Sequence, residues 1–293
     1  MGTAKTMTIK RPQRRTKRSA HGQVREGAQA PLVPAKAGTQ LLLDSRLRGN
    51  ERRNRGLSED RATDAGDLNG SALYRLMAWL SPAYPIGAFS YSSGIEWAVE
   101  AGDITDAASL KRWLAVMIAD GSGFCDAVFF AHAYRAVTQS DEGALRAVAE
   151  LAAAFAPSKE RHLETTAQGR AFLEATRAAW PTPALDCLLA IGDGGVALPV
   201  AVGVASAGHG IALAPALRAY LQAFAANLVS AGVRLIPLGQ TDGQRVLAAL
   251  EHVVAASAER ASGIALDEVG GAAFRADIAG MRHESQHTRL FRS

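Results

Sequence analysis

Apolar side chains recur at helical spacing along most of this chain, from Ser71 onward. One helix face is formed by five of them, at positions i, i+3, i+4, i+7 and i+8: Leu110, Trp113, Leu114, Met117 and Ile118. The same period returns within 217–228 and 246–254, and alternating strand patterns are not apparent. The sequence therefore predicts an all-α protein, in which residues 71–293 form a single compact bundle of roughly eight to ten helices.

Residues 1–70 differ from this body in both charge and hydropathy. They carry fifteen lysines and arginines against seven acidic residues, whereas residues 71–293 carry seventeen against twenty-one. The segment has no aromatic residue and one compact apolar run, 41–43, so it cannot bury enough surface to offset its ordering entropy. We expect a disordered basic N-terminal extension. An arm that binds RNA, DNA or lipid is the alternative, although the mildly acidic body argues against a nucleic-acid partner.

Several features bear on the compartment. Cys125 and Cys187 are the only cysteines, too few for a disulfide scaffold, which favours a cytoplasmic protein. Residues 194–217 carry no charge and are long enough to cross a bilayer. They also contain five glycines and two prolines, so we expect a pair of buried helices with close backbone approach and no membrane span.

One motif points to metal chemistry. His283-Glu284-Ser285-Gln286-His287 matches H-E-x-x-H, in which two histidines on one helix face bind zinc while the glutamate acts as general base. A third ligand usually lies downstream, and six residues follow His287. A zinc-dependent hydrolase is therefore one hypothesis, and a solvated helix end is the other.

Two segments, 81–97 and 231–244, do not fit a helix surface. Pro85 and Gly87 predict a fixed turn in the first, with Ser90 as a candidate N-cap of the next helix. In the second, Arg234 is a lone charge in the uncharged stretch 219–241. Such a charge needs an internal partner, for which Glu96 or Glu160 are candidates, or an outward-facing role in binding.

Three stretches carry a resemblance to a known family. They are SPAYPIGAFSYSSGIEWAVEAG (81–102), AGVRLIPLGQTDGQ (231–244) and RHESQHTRLFRS (282–293). Together they resemble UreF, a family of urease accessory proteins, over about residues 73–293. The family commonly has an aromatic residue at the position of His287, so the resemblance implies that the H-E-x-x-H spacing is a coincidence.

The resemblance implies an all-helical homodimer without catalysis, without metal ligands and without a tightly bound cofactor. Such proteins bind UreD (also called UreH) and recruit or regulate the GTPase UreG, so that the complex inserts nickel into apo-urease. It places Glu96, Glu160 and Arg234 on the GTPase-facing side. It implies a UreD-facing tail consisting of Arg289, Leu290, Phe291, Arg292 and Ser293, in which we expect an aromatic anchor to be buried on docking. The structural motif residues are Pro85, Gly87, Phe89, Ser90, Gly94, Pro237, Gly239 and Gln240.

Overall fold

A computed structural model describes residues 69–191 and 195–293. The described residues form twelve α-helices and no β-strand, which confirms the all-α class. The helices are α1 (Gly70–Trp79), α2 (Ile95–Glu100), α3 (Ala107–Asp120), α4 (Ser122–Thr138), α5 (Glu142–Ala154), α6 (Lys159–Ala179), α7 (Pro183–Ile191), α8 (Leu198–Gly208), α9 (Leu213–Leu235), α10 (Gln240–Ala249), α11 (Glu251–Gly263) and α12 (Phe274–His283). Residues 1–68 of the predicted basic extension lie outside the described residues, and its last two, Asn69 and Gly70, cap and begin α1.

Helix α4 lies at the centre of the bundle, and α3, α5, α8, α9 and α11 pack around it. Its residues from Gly123 to Ala131 are all buried. Close approach to α8 depends on Gly203, where an added Cβ would lie 2.6 Å from the carbonyl oxygen of Phe130. The Phe130 and Tyr220 rings, 5.5 Å apart, join α4 to α9.

The described residues form two α-helices more than the upper end of the expected range, and one of the two arises because an expected helix is divided. The apolar period at 246–254 predicts a continuous helix, but α10 ends at Ala249 and α11 begins at Glu251. At this break the Leu250 N–H donates to the Leu247 carbonyl, a tighter i to i+3 bond of 3.1 Å. Val246, Leu250 and Val254 all remain buried, so the apolar pattern passes through the break unchanged.

Helix α6 begins at the predicted position, directly after Ser158. Pro157 precedes the helix, and the Ser158 hydroxyl accepts a hydrogen bond from the Arg161 N–H at 3.1 Å, an N-cap of the usual kind. This start matters for the site described below, since it fixes the direction of Glu160 and Glu164.

Two long apolar stretches are internal helices. Within 195–217, α8 and the start of α9 are separated by a turn at Gly210, whose φ is +64°, and α8 is buried along most of its length. One stretch, 107–138, has the length and hydropathy of a membrane span, but it consists of α3 and α4. In its most apolar window 72% of the residues are buried within the protein, which is what core helices show.

Both irregular segments form the predicted turns. Residues between α1 and α2 follow a tight path in which Gly87 has a left-handed backbone, φ +69°. Pro237 and Gly239 lie between α9 and α10. The N-cap prediction for Ser90 is wrong: Ser90 ends a short 3₁₀ helix, and Gly94, with φ +80°, is the residue that precedes α2.

Candidate functional site

The H-E-x-x-H residues do not form a metal site. Helix α12 ends at His283, and His287 lies in the following turn with its side chain exposed. The Glu284 carboxylate instead accepts the Lys159 N–H at 2.8 Å, at the first turn of α6. In the described residues no group of three or more His, Cys, Asp or Glu side chains could hold a metal ion. The zinc hydrolase hypothesis is therefore wrong, because the helix stops before the second histidine.

His283 is the centre of a polar cluster that joins three helices. The side chain is fully buried. Its Nδ1 lies 2.6 Å from Glu160 Oε2 on α6, and its Nε2 lies 3.2 Å from Glu96 Oε2 on α2. The spacing along the chain is large, yet packing of α12 on α2 and α6 brings the three groups together.

The same two carboxylates hold the last residues of the chain, 289–293, which we call the terminal segment. Glu96 accepts the Leu290 N–H at 2.6 Å and the Phe291 N–H at 2.9 Å. The Arg289 guanidinium donates to Glu160 at 2.5 Å. Glu96 is consequently buried, with its carboxylate turned towards the terminal segment and His283, and its place on the GTPase-facing side stays a prediction.

Further contacts fix the end of the terminal segment against the loop before α2. The Arg292 N–H donates to the Ser90 carbonyl at 2.8 Å, and the Ser92 N–H donates to the Ser293 carbonyl at 2.6 Å. The Ser293 hydroxyl donates to Glu164 at 3.0 Å. Ser90 therefore acts through its backbone carbonyl in seating the terminal segment.

The side chains of Phe291 and Arg234 contact each other beside the groups that hold the terminal segment. Phe291 is only 4% exposed, so the predicted aromatic anchor is buried in the chain's own body. The Arg234 guanidinium lies 4.3 Å from the centre of the Phe291 ring, a cation–π contact, and donates to the Phe89 carbonyl at 3.0 Å. The partial desolvation of the guanidinium lowers the pKa of Arg234 from its usual value, although most of the side chain stays exposed.

Arg234 donates hydrogen bonds to the carbonyls of Phe89 and Ser230, while Glu96 and Glu160 hold the terminal segment and His283. The hypothesis of an internal ion pair is wrong. Arg234 is exposed, as are the side chains of Phe89 at 65% and Leu290 at 66%.

Arg161, Asp126 and Glu164 form a buried ion network beside the terminal segment, which Glu164 contacts through Ser293. Arg161 on α6 lies 2.7 Å from Asp126 on α4 and 3.6 Å from Glu164, and the Tyr220 hydroxyl donates to Asp126 at 2.9 Å. Burial raises the pKa of both carboxyl groups against the opposing charge of Arg161. Burial also disfavours the Arg161 charge, but the two acids outweigh it and hold the Arg161 pKa above its usual range.

Two apolar surfaces were missed at the sequence level. On α12, Phe274, Ile278 and Met281 stand at i, i+4 and i+7 and are 70%, 43% and 49% exposed. On α1, Leu73, Tyr74 and Met77 are 47%, 69% and 68% exposed. The spacing itself is visible in the sequence, but periodicity does not say whether an apolar face packs inward or outward.

Fold and site together define an all-helical protein. Its terminal segment is held against the body by buried carboxylates, and exposed arginine and apolar side chains lie beside it. The sequence model of the UreF family matches residues 104–251. A urease accessory protein UreF of Rhodopseudomonas palustris strain BisB5 is 63% identical over 223 residues, which are 76% of this chain and 92% of that protein. Another, of Bradyrhizobium diazoefficiens strain USDA 110, is 59% identical over 240 residues, 81% and 99% of the two chains. The chain belongs to the UreF family of urease accessory proteins, and it is not an enzyme.

Proposed function

We propose that this chain is an adaptor for urease maturation in the cytoplasm, binding UreD and recruiting or regulating the GTPase UreG so that nickel is inserted into apo-urease. In this proposal the complex handles the nickel, and the chain holds no tightly bound cofactor. The observation that carries it is the contact between Arg234 and Phe291. This contact joins a terminal segment suited to one partner to an exposed arginine suited to another.

The UreD-facing surface is proposed to combine the terminal segment with α12. Arg289, Leu290 and Arg292 are exposed, whereas Phe291 and Ser293 are buried and hold the segment in place. The exposed apolar stripe of α12 precedes this segment in the chain, separated from it by residues 284–288. Monomeric proteins rarely leave a contiguous apolar surface of this kind uncovered unless a partner binds it, and aromatic and arginine side chains dominate such contacts.

The binding test uses one apolar substitution and a matched control. Leu290→Asp places a charge on the terminal segment, and Leu189→Asp does the same on α7, where Leu189 is 50% exposed. Co-purification with UreD should be lost for Leu290→Asp and for deletion of residues 289–293, and kept for Leu189→Asp. Undiminished recovery of UreD with the deleted chain would reject the proposed surface.

The GTPase-facing role of Arg234 has its own test. Arg234 and Arg218 are both exposed arginines of α9. Arg234→Ala should fold normally and lower urease activation, because a rigid guanidinium fork suited to carboxylate or phosphate groups is removed. Arg218→Ala should leave activation unchanged. Equal activation by both variants would remove Arg234 from the proposal.

We also propose that the chain forms a homodimer, supported by the exposed apolar side chains of α1, which need a cover. Tyr74→Asp should convert the dimer to a monomer in light scattering while leaving the helix content unchanged. A wild-type chain that is monomeric at all concentrations tested would contradict this part of the proposal.

A further inference from the structure

A cavity of about 260 Å³ lies beside the buried ion network, where α4, α5, α6 and α12 come together. Its apolar lining consists of the Phe129 and Phe155 rings, whose centres are 5.4 Å apart, together with Ala152 and Ala156. A cavity of about 150 Å³ accommodates benzene, so this one has room for a ring with a short side chain. Pro157 lines the cavity and is exposed, which leaves a path for a ligand from the solvent.

The polar lining of the cavity includes carboxylate oxygens that have no hydrogen-bond donor. Asp126 on α4 is only 8% exposed, and the hydrogen bonds from Arg161 and Tyr220 both end at its Oδ2. Its Oδ1 has no donor within the described residues. Asp277 on α12 also lines the cavity, and its carboxylate takes part in no hydrogen bond or ion pair within that part of the chain. Carboxylate oxygens withdrawn from water without a donor are costly, so both groups point to a ligand.

Acidic groups outnumber basic ones around the cavity. Arg161 is shared between Asp126 and Glu164, so it leaves no charge for Asp277. Partial burial raises the pKa of Asp277, with no cation to offset it. Burial and the charges of Asp126 and Asp277 together raise the pKa of the Cys125 thiol to about 12, which places both carboxylates near the same thiol. The site therefore disfavours an anion and favours a cation that can donate hydrogen bonds.

We propose that this cavity binds a small organic cation, with an ammonium group on an aromatic or branched apolar body. The ammonium carries three N–H donors, enough for Asp126 Oδ1 and the Asp277 carboxylate together, and the apolar body packs against Phe129 and Phe155. A metal ion is disfavoured because the described residues hold no group of three metal-ligating side chains and much of the lining is apolar. The ligand contacts none of the exposed side chains proposed to bind UreD or UreG, so the test of this site is independent of the proposed function.

The experiment follows the binding of para-fluorobenzylammonium to the full chain by fluorine NMR at about pH 7, where an alkylamine is protonated. Two probes of similar size serve as controls, the neutral para-fluorobenzyl alcohol and the anionic para-fluorobenzoate. Asp277→Asn removes one carboxylate, and Ala156→Phe fills part of the cavity. Asp267→Asn, at an exposed position, is the matched control for the loss of a charge. Urea unfolding of each variant reports whether the fold is kept.

The ammonium probe should bind wild type and Asp267→Asn saturably, with the alcohol and the benzoate at least about tenfold weaker, as expected for hydrogen bonds to a charged group. Asp277→Asn should weaken binding of the ammonium probe by a similar factor without lowering the free energy of unfolding, and Ala156→Phe should also weaken it. Absence of saturable ammonium binding, equal binding of the alcohol, or unchanged binding to Asp277→Asn would overturn the site. Because Asp277→Asn breaks no hydrogen bond or ion pair of the described residues, it decides the matter even if Ala156→Phe does not fold.

Discussion

Replacing Gly94 with alanine should displace α12, whereas the same change at Gly87 should not. Both glycines have a left-handed backbone, with φ of +80° and +69°. Nothing lies within 4 Å of a Cβ added at Gly87, but one added at Gly94 would lie 2.6 Å from the Gly280 nitrogen and 2.9 Å from the Ala279 carbonyl carbon. Backbone atoms cannot rotate aside as a flexible side chain can, so α12 itself must shift.

The size of the difference follows from these distances. A left-handed conformation costs an L-residue about 1–2 kcal/mol, and the lower entropy of the unfolded chain offsets about 0.4–1 kcal/mol of that. Gly87→Ala should therefore lower the free energy of unfolding by on the order of 1 kcal/mol. Gly94→Ala carries the same two contributions together with an overpacking cost of about 1–3 kcal/mol.

Urea unfolding of the full chain measures both free energies, with the two variants compared at a common slope. Hydrogen exchange of α12 and the terminal segment then locates the damage. Gly94→Ala should speed exchange in both regions, and Gly87→Ala should leave them protected. Equal losses of stability with α12 protected in both variants would refute the contact of Gly94 with α12 as the cause.

Three further predictions concern buried groups. Asp126→Asn should lower the free energy of unfolding by up to about 3 kcal/mol, since Arg161 then keeps only its longer ion pair; an unchanged urea midpoint would contradict this. Burial raises the pKa of Glu164, so the folded state takes up a proton at a higher pH than the unfolded state, whose pKa is near about 4.3. The free energy of unfolding should therefore rise as the pH falls from the raised pKa towards the unfolded value. This rise should shrink in Glu164→Gln. Burial, with the charges of Asp126 and Asp277, raises the pKa of Cys125 to about 12, so native protein at about pH 8 should resist thiol alkylation there until it unfolds, and rapid native labelling would count against that burial.

The sequence predicted the helical class and both interhelical turns because these depend on local patterns. Apolar periodicity identifies α3 and α9, and Pro157 with Ser158 identifies the start of α6. The break at Leu250 was not predictable in this way, since no proline or glycine stands there and the buried face continues across it.

The site was only partly predictable for a different reason. Glu96, Glu160 and the terminal segment were all singled out, but as separate contacts to partners. Their convergence on His283 depends on how α2, α6 and α12 pack, which no local pattern contains. The H-E-x-x-H spacing misled because its chemistry requires a continuous helix, and α12 ends at the first histidine.

This chain is proposed to act through other proteins in urease maturation. The most direct test is the nickel content of urease purified from cells that make urease and its other accessory proteins, with and without this chain. We predict urease poor in nickel and activity without the chain, restored by the wild type but not by a chain lacking residues 289–293. Fully loaded, active urease from cells without the chain would contradict the account.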